Sequence, residues 1–275
     1  MTGFKLSVPN THSNEVLLNF SMNSPIPDIQ AKARFEQDGF VAVPQFVQIE
    51  ELQLIEDTLA RFTKKVLPNL PANHVFYEDK TDLGTLKQIQ QLQEHDEFFG
   101  AFFMGKPRRL AKELLGEPVV GMNLQYFNKP PKVGQATPAH QDGYYFMLEP
   151  CRAVTMWMAL DPVDEENGCV RYVRGSHLSG IRPHGRTQTL GFSQGITDFG
   201  TKTDQLNEVP CPANPGDLLA HHALTIHRAD ANSSCTRSRR ALGFIFYGES
   251  ARENTVAHKA YQEKLTAEMT ADGKL

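Results

Sequence analysis

Residues 118–128 read PVVGMNLQYFN, and this run begins the part of the chain that decides the fold. It is short and rich in β-branched and aromatic residues, as β-strands are, and turn-forming residues separate it from the segments that follow. Four more segments have the same character: AVTMWMALDPV (153–163), CVRYVRGSH (169–177), DLLAHHALTIHRA (217–229) and RALGFIFYGES (240–250). Strands gathered into one half of a chain predict a β-barrel or jelly roll with helices packed outside it.

The first half of the chain has helical periodicity instead. Within residues 49–62 the apolar side chains recur every three or four positions: Leu52, Ile55, Leu59 and Phe62. This spacing predicts an amphipathic helix, and residues 95–115 repeat it, so their phenylalanines are interpreted as core. A short helix from Ile29 leads into the strand-like VAVPQF (41–46). The predicted fold class is therefore mainly β with flanking α, with the N-terminal helices outside the barrel.

The length of 275 residues suits one good-sized domain. We predict an irregular N-terminal arm over residues 1–28, which are rich in Asn, Ser and Pro. A single domain over 29–250 follows, with its barrel formed mostly from residue 117 on. The polar residues 251–275 predict a helical C-terminal tail.

Composition excludes several classes of partner. A formal net charge of −4 gives no electrostatic footprint for nucleic acid. No apolar run approaches the roughly 20 residues of a membrane helix, and the N-terminal segment lacks the apolar stretch of a signal peptide. The four cysteines form no CxxC pair, which favours free thiols in a reducing cytoplasm. The sequence thus predicts a cytoplasmic protein with a small-molecule partner, without nucleic-acid or membrane partners, and it defines no oligomeric state.

Two further patterns concern connections. The Asn167–Gly168 pair predicts a tight hairpin turn between barrel strands. The long polar stretch from about Ser179 to Pro210 predicts a functional lid or insertion. His177, near the end of the CVRYVRGSH segment, is interpreted as a structural histidine.

The segment TPAHQDGYYF (137–146) carries the sharpest chemical signal. His140 and Asp142 are two residues apart, so on an extended strand their side chains project from the same face. An imidazole and a carboxylate then converge on one point. A second histidine from a distant strand would complete the two-His-one-carboxylate triad of non-haem iron, which leaves positions open for a 2-oxo acid and dioxygen.

Candidates for that second histidine lie together in DLLAHHALTIHRA. His227 lies near the end of the predicted strand, where sites form, so we predict it as the ligand. Of His221 and His222, one is expected to face the core or barrel wall and the other solvent. Arg239 follows twelve residues after His227, and a guanidinium there can bind the distal carboxylate of a 2-oxo acid. Because strand residues alternate, only one of Arg239 and Arg240 faces the barrel interior.

Longer stretches of the chain resemble the phytanoyl-CoA dioxygenase family of 2-oxoglutarate oxygenases. Three motifs carry the resemblance: FNKPPKVGQATPAHQDGYYF (127–146), MWMALDPVDEENGCVRYVRGSH (156–177) and PGDLLAHHALTIHRADANSS (215–234). It extends from about Phe35 to Tyr247. The resemblance implies a double-stranded β-helix, the cupin-like jelly roll, and a dioxygenase that uses Fe(II), 2-oxoglutarate and O2.

By position in these motifs, the resemblance implies that His140, Asp142 and His227 bind the iron. It implies cosubstrate contacts for three residues: Arg239 on the 5-carboxylate, Trp157 and Gln125. The family often has Ser or Thr two residues after the distal histidine, and this chain has Ala229, so another group must donate to the cosubstrate. Halogenating relatives replace the carboxylate ligand by Gly or Ala, so the intact Asp142 favours hydroxylation.

Aromatic and polar residues near the ligands are candidates for substrate contacts: Tyr126, Gln141, Tyr144, Tyr145 and Lys87. Several rings around a small volume could hold an alkylammonium by cation–π attraction, or could pack in the barrel wall. We predict hydroxylation of a small polar metabolite, such as an alkylammonium or aminophosphonate compound, with release of succinate and CO2. The alternatives are a non-catalytic cupin-like protein that binds a ligand or metal, and a zinc hydrolase, for which HQDGYYF supplies no general-base Glu.

Overall fold

The computed structural model describes residues 29–267, with gaps at 190–191, 257, 261–262 and 264–266. The predicted N-terminal arm and most of the predicted C-terminal tail therefore lie outside the described residues. The tail residues that are described from 255 onward are helical. Within this part of the chain, no helix combines the length and hydrophobicity that a bilayer crossing requires.

Helices occur mainly in the first half of the chain. The α-helices are α1 (Ile29–Asp38), α2 (Ile49–Lys65), α3 (Leu92–His95), α4 (Glu97–Met104), α5 (Lys106–Leu115), α6 (Asp142–Phe146) and α7 (Lys202–Asn207). Short 3-10 helices span Leu67–Asn69, Ala72–His74, Leu83–Thr85 and Ser176–Ser179.

The strands occur mainly in the second half. They are β1 (Phe40–Val43), β2 (Val75–Tyr77), β3 (Leu86–Ile89), β4 (Val119–Lys129), β5 (Thr137–His140), β6 (Leu148–Glu149), β7 (Ala153–Ala159), β8 (Val170–Val173), β9 (His184–Thr189), β10 (Phe192–Ile196), β11 (Glu208–Cys211), β12 (Leu218–His222), β13 (His227–Ala229), β14 (Arg239–Gly248) and β15 (Arg252–Glu253).

Most of these strands form two antiparallel sheets. The large sheet has the order β1-β12-β7-β14-β4-β3-β2, and the small sheet has the order β11-β8-β13-β5. Side chains from both sheets pack together in one apolar cluster, which includes Trp157 of the large sheet and Tyr172 of the small one. Two facing antiparallel sheets with helices outside are a jelly roll, so the predicted fold class is confirmed. Three strands of the large sheet (β1, β2 and β3) come from the part of the chain before residue 117.

The large sheet separates two layers of packing, because successive side chains of a strand point to opposite faces. On β7 and β14, even-numbered residues such as Met156 and Phe244 pack against the helices. Odd-numbered residues such as Trp157 and Ala241 face the small sheet. The helix predicted over residues 49–62 is α2, and its four periodic apolar residues are buried against the sheet as expected.

The helical pattern of residues 95–115 corresponds to two helices and not one. Gly105 has φ −87° and ψ −118°, outside the helical region, and it separates α4 from α5. Pro107 then lies in the first turn of α5, where a missing backbone N–H is tolerated. At the other end, Asp96 caps α4, since its carboxylate accepts hydrogen bonds from the backbone N–H groups of Phe98 and Phe99.

The Asn167–Gly168 pair does not form a hairpin, because β7 and β8 lie in different sheets. The connection crosses from the large sheet to the small one. Gly168 has φ +85°, and a Cβ there would lie 2.4 Å from the carbonyl oxygen of Asp230. The buried Asn167 amide donates to the carbonyls of Pro162 (2.9 Å) and Ser238 (3.2 Å). The hairpin prediction was wrong because turn residues specify a local bend and not the sheet that the next strand joins.

Truncation of Phe244 tests the packing of helices on the large sheet. Its ring is fully buried and contacts Phe102 and Phe103. We expect Phe244→Ala to lower the free energy of unfolding by about 3–5 kcal/mol, since it leaves a cavity. Chemical denaturation measures this, with Leu206→Ala, 84% exposed, as a control expected within about 0.5 kcal/mol of the parent protein. A loss below about 1 kcal/mol for Phe244→Ala would contradict the described packing.

Candidate metal centre

The small sheet brings two of the predicted metal ligands together. His140 is the last residue of β5 and His227 the first of β13, and the antiparallel register pairs them directly opposite each other. Cross-strand partners have Cβ atoms about 4.5–5.5 Å apart, and the two imidazole centroids are 4.1 Å apart. Residues 87 positions apart in sequence thus become neighbours through strand pairing alone.

The carboxylate comes from the residue that follows this strand end. Gln141 is extended (φ −126°, ψ 125°), so the side chains of His140 and Asp142 project to the same side although Asp142 begins α6. Its Oδ1 lies 3.5 Å from Nε2 of His140 and 3.7 Å from Nε2 of His227. The ligand atoms of the three residues lie within 4.8 Å of one another, a spacing at which they can hold one metal ion.

Backbone hydrogen bonds orient both histidines for metal binding. Nδ1 of His140 lies 2.8 Å from the carbonyl oxygen of Pro138, and Nδ1 of His227 lies 3.0 Å from that of Thr225. A carbonyl oxygen only accepts, so each Nδ1 carries the proton and each Nε2 directs its lone pair toward the shared point. This arrangement is typical of metal-bound histidines, whose second nitrogen is fixed by an outer hydrogen bond.

The other oxygen of Asp142 bonds to the large sheet. Oδ2 accepts a hydrogen bond from the Thr155 hydroxyl at 2.5 Å and lies 3.1 Å from Nε2 of His221. Nδ1 of His221 in turn lies 3.0 Å from the hydroxyl of Tyr172. Thr155 and His221 are direct partners on β7 and β12. The carboxylate is thereby fixed with Oδ1, and not Oδ2, directed toward the two histidines.

Sequence reasoning missed His221 and Thr155 as functional residues. His221 was expected to face the core, the barrel wall or solvent, and it lies 3% exposed beside the metal cluster. His222 faces the other side of the sheet, near Phe35 and His177. The available signal was Thr155 in an otherwise apolar strand and the His221–His222 pair at the end of another. The pairing of Thr155 with His221 could not be predicted from the sequence, because the two residues are 66 positions apart.

The electrostatics suit a cation. Burial opposes ionisation of Asp142, but the neighbouring His227 and the contacts with His140 and His221 outweigh it and hold its pKa well below the usual range. Burial, followed by the other two imidazoles, holds the pKa of His227 well below its usual range. The cluster therefore offers an ionised carboxylate and a neutral imidazole, the protonation states that metal binding requires.

A cavity of about 250 Å³ adjoins the cluster and contains a buried guanidinium. Arg239, 5% exposed, donates from Nε to the carbonyl of Gly168 at 3.1 Å, and its Cζ lies 5.1 Å from the centre of the Trp157 ring. In the described part of the chain no carboxylate pairs with it, and burial lowers the pKa of Arg239 to about 10. A buried cation without an anion is costly, so the cavity is suited to an anionic ligand.

The structure distinguishes Arg239 from Arg240, which the sequence left open. Arg240 points to the helical side and forms ion pairs with Asp161 (2.7 Å) and Glu56 of α2 (2.9 Å). Arg239 points into the cavity and lies directly opposite Lys129 of β4. The difference follows from strand alternation once the face of β14 is known.

The remaining predicted site residues divide into two groups. Gln125, Trp157, Tyr145 and Lys87 line the cavity. Gln125 accepts a hydrogen bond from the Gln88 amide at 2.6 Å, and Lys87 forms an ion pair with Glu78 at 3.1 Å.

Three residues expected to contact the substrate lie elsewhere. Tyr126 projects from the opposite face of β4 into the core beneath the helices. The fully buried Gln141 amide bonds the backbone of Gly180, Leu224 and Arg182. Tyr144 stacks on His184 with ring centroids 4.3 Å apart. The prediction grouped residues adjacent in sequence, whereas alternation on β4 and the turn of α6 send neighbours in different directions.

Comparison with known proteins identifies a family whose sequences this chain matches. The family model "Phytanoyl-CoA dioxygenase (PhyH)" matches residues 35–241. The peroxisomal phytanoyl-CoA dioxygenase of Bos taurus is 23% identical over 231 residues, covering 78% of this chain and 67% of that protein. Phytanoyl-CoA dioxygenase domain-containing protein 1 of Bos taurus is 33% identical over 143 residues, covering 50% of this chain and 48% of that protein.

Solved structures share the fold. EvdO2 from Micromonospora carbonacea var. aurantiaca, in complex with 2-oxoglutarate, has a TM-score of 0.66 at 24% identity, covering 85% of this chain and 95% of that chain. The epimerase SnoN, in complex with Fe3+, alpha-ketoglutarate and nogalamycin RO, has a TM-score of 0.66 at 23% identity, covering 82% of this chain and 84% of that chain.

Replacement of His221 tests how the Asp142 carboxylate is held. We expect His221→Phe to weaken Co(II) binding by about 10–100-fold, as for other outer partners of metal ligands. The measurement is a Co(II) titration followed by visible absorption. His222→Phe is the matched control, one residue along the strand on the opposite face, and should change the affinity less than about threefold. Equal affinities for the two variants would show that His221 does not position the carboxylate.

Proposed function

The chain belongs to the phytanoyl-CoA dioxygenase (PhyH) family and is a 2-oxoglutarate-dependent non-haem iron dioxygenase, and we propose that it hydroxylates an unactivated C–H bond of a small polar metabolite at a centre formed by His140, Asp142 and His227. The observation that carries this proposal is the presence, in one cavity, of this cluster and the unpaired guanidinium of Arg239. A metal and a dicarboxylate are the ligands that such a pair of features accepts.

Each group has a distinct role in this proposal. The iron and 2-oxoglutarate, when bound, supply the oxidation that places one oxygen atom of O2 on the substrate as succinate and CO2 form. His140, Asp142 and His227 would hold the iron, and the cavity adjoins them. Arg239 binds the distal carboxylate. Trp157, whose ring lies 5.1 Å from the Arg239 Cζ, limits the positions that the guanidinium can take.

The retention of Asp142 supports hydroxylation over halogenation. Its Oδ1 lies toward both histidines, and Thr155 and His221 bond its Oδ2. Halogenating relatives have Gly or Ala at this position, which leaves room for a halide. In this chain the Asp142 carboxylate fills that room.

The cavity wall supports a small substrate with charged groups. The Glu78–Lys87 ion pair has side chains only about a tenth exposed (10% and 11%), and amide side chains line the wall nearby, including those of Gln88 and Gln135. In a zwitterion such as an aminophosphonate, the ammonium could pair with Glu78 and the anion with Lys87, in place of the ion pair between the two side chains. Tyr145, whose ring centroid is 5.9 Å from that of His140, can contribute cation–π attraction to an alkylammonium.

Anaerobic titration tests the cofactor assignment. Addition of 2-oxoglutarate to the Fe(II)-loaded protein should produce a weak charge-transfer band in the visible spectrum, because a 2-oxo acid chelates the iron. His140→Ala and Asp142→Ala should lose the band. Arg239→Ala should retain it but raise the Kd for 2-oxoglutarate by roughly 30-fold or more, since a buried charged partner is removed.

Two control variants accompany this titration. His258→Ala removes a histidine of the C-terminal tail that pairs with Glu253, and Arg108→Ala removes an exposed arginine of α5. Both should leave the band and the Kd unchanged. If iron binds to the parent protein and no band forms, the 2-oxoglutarate assignment fails and a ligand-binding cupin-like protein becomes the better description.

Substrate recognition is tested by screening small ammonium and phosphonate compounds for stimulated succinate release. For a compound that is hydroxylated, Glu78→Gln and Lys87→Met should each raise its KM by about tenfold or more, while changing the KM for 2-oxoglutarate less than about threefold. Glu36→Gln, which breaks the exposed Lys32–Glu36 pair, is the matched control and should alter neither value. Unchanged KM values in all variants would exclude the Glu78–Lys87 pair from substrate binding.

A further inference from the structure

Lys129 and Arg239 place two buried basic side chains side by side. They are direct partners in the register of β4 and β14, and their residues are 6% and 5% exposed. Both line the cavity. Like charges directly opposite on paired strands are destabilising, and burial increases that cost. Such an arrangement needs a physical reason beyond packing.

No carboxylate in the described residues forms an ion pair with Lys129. Its Nζ donates to the carbonyl oxygen of Asp230 at 2.6 Å and approaches that of Ala229 at 3.4 Å. These carbonyls belong to the end of the strand that begins at His227 and to the residue after it. Lys129 thus brings a donor to the position where Ala229 has no hydroxyl to offer.

The surrounding chain keeps Lys129 inside the cavity. The Asn232 amide donates to its backbone carbonyl at 2.8 Å. The loop after β4 folds over it so closely that a Cβ at Gly134 would lie 2.7 Å from the Lys129 Cβ. The backbone of Lys129 is therefore fixed, and its side chain extends along the cavity wall.

The charged groups that face Lys129 come from four elements. Arg239 lies on β14 and Lys87 on β3, whereas Glu78 follows β2 and Asp230 follows β13. Burial, followed by Arg239 and Lys87, lowers the pKa of Lys129 to about 6, although Glu78 and Asp230 act in the opposite direction. At pH 8 the free protein therefore holds this amine mostly neutral.

We infer that Lys129 is a second binding group for the distal carboxylate of 2-oxoglutarate, beside Arg239, and that the amine takes up a proton from solvent when the dianion binds. The inference rests on the proposed function, since it concerns the same cosubstrate. The carboxylate supplies the counter-charge that the buried Arg239 guanidinium lacks, and the neutral amine of Lys129 becomes an ammonium that donates to it. Arg239 and Lys129 together replace the Arg and hydroxyl pair that is frequent in the family.

Isothermal titration calorimetry of the Ni(II)-loaded protein tests this inference without turnover. 2-Oxoglutarate is titrated at pH 8 in buffers of different ionisation enthalpy, and the slope of the observed enthalpy gives the protons taken up. The parent protein should take up about one proton per 2-oxoglutarate, because the new carboxylate raises the pKa of Lys129 above the pH. Uptake should fall to about half a proton at pH 6, where the free amine is already about half protonated.

Three variants define the outcome. Lys129→Met should weaken 2-oxoglutarate binding by about 10–100-fold and abolish proton uptake. Lys129→Arg, permanently charged, should bind within about tenfold of the parent protein and also take up no proton. If the Lys129→Met variant fails to fold, the loss of proton uptake in Lys129→Arg still tests the inference. Lys132→Met, an exposed lysine of the same loop, should behave like the parent protein in both respects.

The results separate this inference from the proposed function. If 2-oxoglutarate does not bind the Ni(II)-loaded parent protein, the proposed function fails. If it binds tightly but Lys129→Met retains the parent affinity, or the parent protein takes up no proton, only the role of Lys129 is overturned.

Discussion

The position of the Asp142 carboxylate is the constraint on which the site depends. A buried anion is tolerated only if both oxygens are satisfied. One oxygen is bonded by Thr155 and His221 of the large sheet, and the other faces the Nε2 atoms of His140 and His227 of the small sheet, where a bound metal ion would satisfy it. The two sheets are therefore held in a fixed relation at this point. The cavity between them takes its shape from that relation.

The two faces of each strand in the large sheet have different roles. On β7, β12, β14 and residues 124–129 of β4 the odd-numbered residues face the small sheet and the cavity, whereas most even-numbered residues face the helices and supply the core. Arg239 and Arg240 are the clearest example. One is a buried cation without a carboxylate partner, and the other joins β14 to helix α2 through Glu56. A shift of register by one residue would exchange these roles and destroy both layers.

The cavity has an uneven charge distribution that suits two different ligands. The unpaired guanidinium of Arg239, beside the basic Lys129, forms a region with excess positive charge, which a dicarboxylate can neutralise. Glu78 and Lys87 form a balanced pair, which suits a ligand that is itself balanced. This contrast supports separate binding regions for the cosubstrate and the substrate around one metal centre.

The sequence alone determined the strand-rich second half, the helix α2, the His140–Asp142 pair and the resemblance to the family, because these depend on local periodicity and short motifs. It also pointed to His227, since that residue lies near the end of a strand-like segment. It could not decide between Arg239 and Arg240, identify His221 and Thr155, separate the buried Tyr126 from the cavity residue Gln125, or reveal the pairing of Lys129 with Arg239. Each of these depends on which face of a strand meets the second sheet. That face is fixed by pairing between strands separated by tens of residues, so only the tertiary structure decided it.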